Sequence, residues 1–301
     1  MKQFIIDGFN LAYRSHFAFK NLTTASGLVS GGVYGFLTAL RALRKRFSYC
    51  KFYIVWDNNA SKKKEIFSEY KANRIPFRVD LPIKDLKEAL QYVNIIQAEV
   101  TGEEADDVMA SLASHADDLC YIYTSDKDLL QMVVDGRIIV ISPKRGDIPE
   151  KSYDEEAVKV KYGVEPKDLA CYFALRGDDV DNIPGVPRVP SKVLASLCNK
   201  YKVIENMYDG LVSETLTDFQ RQSLTNFKNQ VLINYSLTLL KKDLNCDLTT
   251  GKSDPEKFQS FLDKYEIKAL TSESYIELFS VDTDFLIREG PSLKQNSFFD
   301  E

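Results

Sequence analysis

The chain has 301 residues, 44% hydrophobic and 28% charged, with a net charge of −5. That length buries a sizeable core as one large domain or two closely joined ones, and the composition is ordinary for a globular protein. No apolar run approaches a membrane span and the N-terminus enters a strand without a signal-peptide pattern, so a membrane role is excluded and a cytoplasmic setting is expected. Cys50, Cys120, Cys171, Cys198 and Cys246 are odd in number and lack CxxC spacing. They read as core residues in a reducing compartment, not as a disulfide framework or a zinc site. The acidic balance taken alone argues against a nucleic-acid partner. Basic residues nevertheless concentrate at Arg41, Arg44, Lys45, Arg46, Lys62, Lys63, Lys64, Lys71, Arg74 and Arg78.

In chain order, residues 2–6 read as a strand ending in Asp7, and a helix opens at Gly31-Gly32-Val33-Tyr34-Gly35 and runs to about 43. A strand at 52–56 ends in Asp57, giving a βαβ start that favours a right-handed parallel crossover. Residues 58–80, rich in Lys, Arg, Tyr and Phe, read as an exposed excursion. Helices are predicted at 83–93 and 103–115, and strands at 120–124, ending at Asp126, and at 137–141. Beyond about 150 the pattern turns helical, with helices at 154–162, 166–175, 191–208, 215–241 and 255–264, which marks a second helical unit. The residues from 290 read as a loose tail.

Three apolar strands therefore empty into aspartate, and in an open α/β sheet the ligand site lies outside the carboxyl ends of the strands. Glu104, Asp106 and Asp107 follow, then Asp128, Asp178, Asp179 and Asp181. So many unpaired carboxylates cannot share a pocket without cations. Hard oxygen donors point to Mg²⁺ or Mn²⁺, and His16 and His115 read as structural or surface residues. Helix capping accounts for Thr101-Gly102-Glu103-Glu104 or Ser125-Asp126-Lys127-Asp128 taken singly, but not for Asp7, Asp57 or the repeated strand-end placement. A haloacid-dehalogenase-type phosphatase needs a second aspartate two residues after Asp7; this chain has Phe9. The segment Asn182–Pro190 reads either as a plain turn or as a hairpin whose backbone N–H groups face a phosphodiester.

Asp7, Asp57, Tyr70-Lys71-Ala72-Asn73-Arg74, Glu104-Ala105-Asp106-Asp107, Thr124-Ser125-Asp126-Lys127-Asp128 and Gly177-Asp178-Asp179-Val180-Asp181-Asn182-Ile183-Pro184-Gly185-Val186 occur in the order seen in 5′ nucleases. From residue 2 to about 240 the chain resembles the 5′-to-3′ exonuclease/flap endonuclease family, which includes the 5′-nuclease domain of bacterial family-A DNA polymerases and stand-alone phage enzymes. The resemblance implies an α/β fold: a PIN-like, mostly parallel sheet flanked by helices, a helical arch, and a helix-three-turn-helix DNA-binding subdomain. The expected domains are 1–165, with the arch at about 58–100, and 166–289, with the helix-three-turn-helix at about 176–197, followed by the tail at 290–301. It further implies one metal ion at Asp7, Asp57, Glu104 and Asp106 and another at Asp126, Asp128, Asp178 and Asp181, some through water, with Asp107 in support. Lys71 and Arg74 would steady charge on the phosphoryl oxygens.

DNA contacts are expected from Gly32 and Tyr34 near the substrate bend, although the glycines at 31–35 also read as close helix packing. Lys62, Lys63 and Lys64 would attract a single-stranded 5′ tail, with Tyr70 or Phe67 stacking on a base; Gly185, Arg188 and Lys192 would grip duplex. The family's glycine–apolar–glycine turn is replaced here by Pro187-Arg188-Val189-Pro190. Two missing N–H donors and missing left-handed positions argue against a K⁺ ion in that turn and for weakened duplex grip. The tail, with Gln295 before Phe298-Phe299, loosely resembles sliding-clamp-binding peptides. The expected protein is a stand-alone, monomeric Mg²⁺-dependent 5′ nuclease without a polymerase domain, acting on flapped, branched or 5′-ended DNA and on RNA/DNA hybrids. The alternatives are a PIN-type ribonuclease for single-stranded RNA and a non-catalytic branched-DNA binder.

Overall fold

The computed structural model describes residues 1–58, 62–73 and 81–280; Arg74, Arg78 and the tail at 290–301 lie outside the described residues. Its strands are β1 (Gln3–Asp7), β2 (Lys51–Val55), β3 (Ile96–Glu99), β4 (Cys120–Tyr123), β5 (Ile138–Ser142), β6 (Lys151–Tyr153) and β7 (Asp247–Thr249). They form one sheet in the order β6-β5-β4-β1-β2-β3-β7. The five inner strands pair in parallel, and β6 and β7 close the edges antiparallel. The four predicted strands stand within one residue of their expected ends, whereas β3, β6 and β7 were not legible.

The N-terminal helices are α1 (Gly8–Ala18), α2 (Gly31–Arg46), α3 (Lys63–Ile66), α4 (Ile83–Tyr92) and α5 (Ala105–Ser114). After β6 come α6 (Glu155–Tyr162), α7 (Leu169–Arg176), α8 (Ser191–Tyr201), α9 (Ile204–Gly210), α10 (Asp218–Asn226) and α11 (Lys228–Thr238). Beyond β7 lie α12 (Pro255–Lys264) and α13 (Ser272–Ser280). Alternation along β1 sends Ile5 to a core shared with Val108, Leu129, Phe173, Leu194 and Val231. Phe4 and Ile6 face a second core with Phe36, Leu40, Trp56, Leu90, Phe258 and Tyr275. Helices α5, α7, α8 and α11 thus cover one face of the sheet and α2, α4 and α12 the other. Among the described residues no helix is long and apolar enough to cross a membrane.

Two long predicted helices are each broken. The 191–208 segment divides at Lys202, whose backbone is left-handed (φ 61°) and whose ammonium lies 2.6 Å from Asp168. The 215–241 segment divides at Phe227, after α10 has begun on a Thr217–Gln220 capping box. The chain then returns to the sheet: β7 pairs with β3, the Tyr265 hydroxyl donates to Asp85 at 2.7 Å, and the Tyr275 hydroxyl donates to the Leu37 carbonyl at 3.2 Å. The segment after about 246 therefore packs with the sheet, not with the helices α6–α11 that precede it.

The connection from α7 to α8 turns on two glycines in contact. Gly177 has φ +78°, and a Cβ on Gly185 would sit 1.9 Å from the Arg176 carbonyl oxygen. This close approach lets the Val186 N–H reach the Leu175 carbonyl at 2.8 Å, which anchors the hairpin to the end of α7. Gly185→Ala should therefore destabilise the protein by about 3 kcal/mol. Thermal or denaturant unfolding checks this, and an unchanged midpoint would contradict it.

Candidate active site

Strand order reverses between β4 and β1, which makes their carboxyl ends a topological switch point. Asp7, the last residue of β1, accepts the Asn10 N–H at 2.8 Å and the Thr124 hydroxyl at 3.0 Å. Asp7 is thus the N-cap of α1, a capping role the strand-end pattern concealed. Asp57, just past β2, accepts the Ala105 N–H at 2.7 Å. That bond ties the N-terminus of α5 to the sheet edge and brings Glu104 and Asp106 over it. The capping box that Thr101-Gly102-Glu103-Glu104 fits taken singly does not form, because α5 starts at Ala105 and Glu104 makes no side-chain cap. Asp126 follows β4 and accepts the Asp128 N–H at 2.9 Å.

Residues 62–73 are not the wholly exposed excursion expected. Lys63 is buried, with its ammonium 3.3 Å from Glu104 and 3.4 Å from Asp107. Lys71 lies 2.8 Å from Glu104, and its N–H donates to the Asp181 carbonyl at 2.9 Å. Tyr70, only 3% exposed, donates its hydroxyl to Glu104 at 3.1 Å and stands 3.4 Å from Asp181. It packs with Ile183, Leu237 and Phe67. Of the residues expected to meet a single-stranded tail, Lys63 instead neutralises buried acids and Tyr70, expected to stack on a base, supports Glu104. Lys64 is exposed, and Lys62 pairs with Glu103 at 3.0 Å. The segment is stitched to the hairpin by Asn73 donating to the Asp179 carbonyl at 2.6 Å and Asn182 donating to the Glu69 carbonyl at 2.7 Å.

The hairpin contributes Asp178 and Asp181. Asp178 bonds Lys127 and accepts the Val180 N–H at 3.0 Å, and Asp181 is buried. Arg188 is left-handed (φ 58°) with its guanidinium over the Phe219 ring, and Lys192 is exposed on the first turn of α8. A left-handed position expected to be lost is therefore kept by Arg188. At the start of α2, a Cβ on Gly31 would meet the Phe19 carbonyl at 1.9 Å and one on Gly35 the Ser15 Cβ at 2.9 Å, so these glycines allow α1 and α2 to pack closely. Gly32 is likewise buried, against Leu81 and His16, while Tyr34 meets the Phe19 ring edge-on.

The acids feel one another. Burial foremost, then the neighbouring Asp57 and Asp126 charges, opposed by the Asn10 N–H and Thr124 bonds, push the Asp7 carboxyl up to about 7. Burial followed by Asp126 carries Asp128 to about 8, and burial with the Asp126 and Asp7 charges raises Asp106 well above the carboxylate range. Asp126 is raised too, mainly by burial, with the Asp181 charge adding. Glu104 behaves oppositely: burial is outweighed by Lys63 and Lys71, and its carboxyl falls to about 2. The expectation of unpaired carboxylates thus holds on the Asp7–Asp106–Asp128 side and fails at Glu104 and Asp178, which lysines already answer. Among the described residues no three acidic side chains form a closed ligand set as they stand.

An all-oxygen donor set fits a divalent ion such as Mg²⁺ or Mn²⁺. Asp128 Oδ1 is buried without a hydrogen-bond partner among the described residues, and a cation would satisfy it. Beside this edge, Arg14, Phe17, Lys144, Arg145 and Ser125 border a cleft of about 680 Å³. Sequence reading missed Arg14, although its place seven residues after Asp7, on the helix that Asp7 caps, was the available signal.

The family model described as "5′-3′ exonuclease, N-terminal resolvase-like domain" matches residues 2–163, and "5′-3′ exonuclease, C-terminal SAM fold" matches 164–260. The 5′-3′ exonuclease of Aquifex aeolicus is 34% identical over 283 residues, covering 90% of this chain and 94% of that one. The thermostable DNA polymerase I of Thermus thermophilus is 33% identical over 279 residues, but this chain spans only 32% of its length. Among solved structures, T5 5′-exonuclease with bound zinc matches with a TM-score of 0.63 at 20% identity, covering 93% of this chain and all of that one. The catalytic core of Rad2 in complex with DNA substrate matches with a TM-score of 0.58 at 17% identity, covering 93% and 91%. The chain belongs to the 5′-3′ exonuclease family and is a nuclease.

The raised Asp128 carboxyl carries a pH signature. Its contribution to the stability of the metal-free protein is full below its unfolded value and is lost as pH rises through about 8. Asp128→Asn abolishes that titration. Unfolding in chelator should show the variant gaining about 10 °C over wild type near pH 9 and little near pH 4; an equal change at both would contradict the assignment.

Proposed function

We propose that the nuclease works with two divalent ions, Mg²⁺ by default and Mn²⁺ in substitution, and hydrolyses phosphodiesters in 5′-flapped, branched or 5′-ended DNA and in RNA/DNA hybrids. The observation that carries this reading is the acidic switch-point edge, where carboxylates from separate segments face one another with raised pKa values. One ion would be held by Asp7, Asp57, Glu104 and Asp106, and the other by Asp126, Asp128, Asp178 and Asp181. When bound, such a pair supplies a water of lowered pKa and charge at both oxygens of an in-line displacement.

The chain's own residues do the remaining work. Asp57, through the Ala105 N–H, fixes the end of α5 and so the direction of Glu104. Tyr70 holds Glu104 from the other side. Lys71, the more exposed of the two ammonium groups on Glu104, would move onto a phosphoryl oxygen, and Arg74 would take the same role. Arg188 and Lys192 offer charge to a duplex backbone. The products would be a 5′-phosphate and a 3′-hydroxyl. The DNA complex of the Rad2 core and the zinc-bound T5 exonuclease support DNA as substrate and a divalent ion as cofactor. The turn prolines Pro187 and Pro190 leave K⁺ out of the reading.

Cleavage of a 5′-labelled flap, compared with plain duplex and single strand in Mg²⁺, Mn²⁺ or chelator, tests it. Structure-selective cutting should require metal and fall about a hundredfold or more in Asp126→Asn. Tight binding without cutting would favour a branched-DNA binder, and cutting confined to single-stranded RNA would favour a PIN-type ribonuclease.

A further inference from the structure

Around Glu104 and Asp107 the chain supplies its own cation. Lys63 opens α3 and is 8% exposed, while Lys62 and Lys64 on either side are exposed. Its ammonium lies between Glu104 Oε2, at 3.3 Å, and Asp107 Oδ2, at 3.4 Å. Asp107 is fully buried: Oδ1 accepts the Lys241 N–H at 2.9 Å, and Oδ2 makes no hydrogen bond among the described residues, so the Lys63 charge is what answers it. Lys63 is also fixed from its backbone, since the Lys62 N–H reaches the Gly102 carbonyl at 3.2 Å and the Phe67 N–H reaches the Lys63 carbonyl at 3.0 Å. Among the described residues Lys71 pairs with Glu104 alone and is more exposed; Lys63 spans two buried acids, so it is the permanent partner and Lys71 the displaceable one.

A buried ammonium beside Glu104 repels any divalent ion that Glu104 helps to hold. We propose that Lys63 is a positioning residue of the carboxylate centre: its ammonium fixes Glu104 and Asp107 and competes with the divalent ion for them, and so sets the affinity with which the centre loads metal. This rests on the two-ion reading above. Two substitutions then act in opposite directions. Lys63→Gln frees the charge of Glu104 and Asp107 for the metal, whereas Asp107→Asn throws the whole ammonium onto Glu104. A lysine that merely anchors α3 would give no such opposition, because loosening the segment weakens metal binding in both.

The test is a Mn²⁺ titration of the full chain without nucleic acid, read by calorimetry and by the electron paramagnetic resonance of free Mn²⁺. Unfolding in chelator verifies that each variant is folded. A like charge removed at this range shifts an equilibrium by about one decade or more, so Lys63→Gln should bind about tenfold tighter. Asp107→Asn should bind correspondingly weaker, and Lys63→Arg should stay within about threefold of wild type. Unchanged or weaker binding by Lys63→Gln overturns the inference. If that variant does not fold, Asp107→Asn decides, and unchanged or tighter binding overturns it. A wild type that takes up no Mn²⁺, or an Asp126→Asn variant that loads like wild type, overturns the two-ion reading itself and the inference with it.

Discussion

Gathering acids from the ends of β1, β2 and β4, the start of α5 and the α7–α8 hairpin onto one sheet edge costs free energy before any ligand arrives. Moving Asp7 from its ordinary 3.8 to about 7 corresponds to about 4 kcal/mol, and Asp128 is displaced further. Each fully buried large apolar side chain returns about 2 kcal/mol. The two cores flanking the sheet hold many of these, from Phe4, Ile5 and Ile6 to Phe173 and Phe258, so the fold carries the strained edge. Backbone N–H groups hold Asp7, Asp57 and Asp126 in place at that edge.

Charge relief is unevenly distributed across that edge. On one side Lys63, Lys71 and Tyr70 surround Glu104 and keep it ionised. On the other, Asp7, Asp106 and Asp128 are crowded and lean toward the protonated form. Metal uptake would therefore release protons from the crowded side and displace an ammonium from the other. The displaced lysine belongs to a segment tied to the hairpin through Asn73 and Asn182, so the groups that would steady the phosphate and those that would grip the duplex are mechanically joined.

Much of this was legible in the sequence because strands running into aspartate leave a local mark. Tyr53-Ile54-Val55-Trp56 into Asp57 places a buried strand and its acidic end at once. The edge strand Asp247–Thr249 left none: its three residues are exposed, and backbone pairing with β3 defines it. Helix α1 was hidden because its N-cap, Asp7, was already claimed by the strand-end pattern, though Leu11, Ala12 and Ser15 mark its buried face. Lys63 could not be told from Lys62 and Lys64 by charge alone; its burial depends on Glu104 and Asp107, some forty residues away in sequence. Arg188 holds a left-handed position usually given to glycine, with its guanidinium over Phe219.

The most direct test of the account is a crystal structure of the protein grown with Mn²⁺, with the ions located by anomalous scattering. Two peaks are expected at the switch-point edge, one against Asp7, Asp57, Glu104 and Asp106 and the other against Asp126, Asp128, Asp178 and Asp181, some contacts being made through water. Peaks elsewhere on the surface, with this edge left to its lysines and protons, would contradict it.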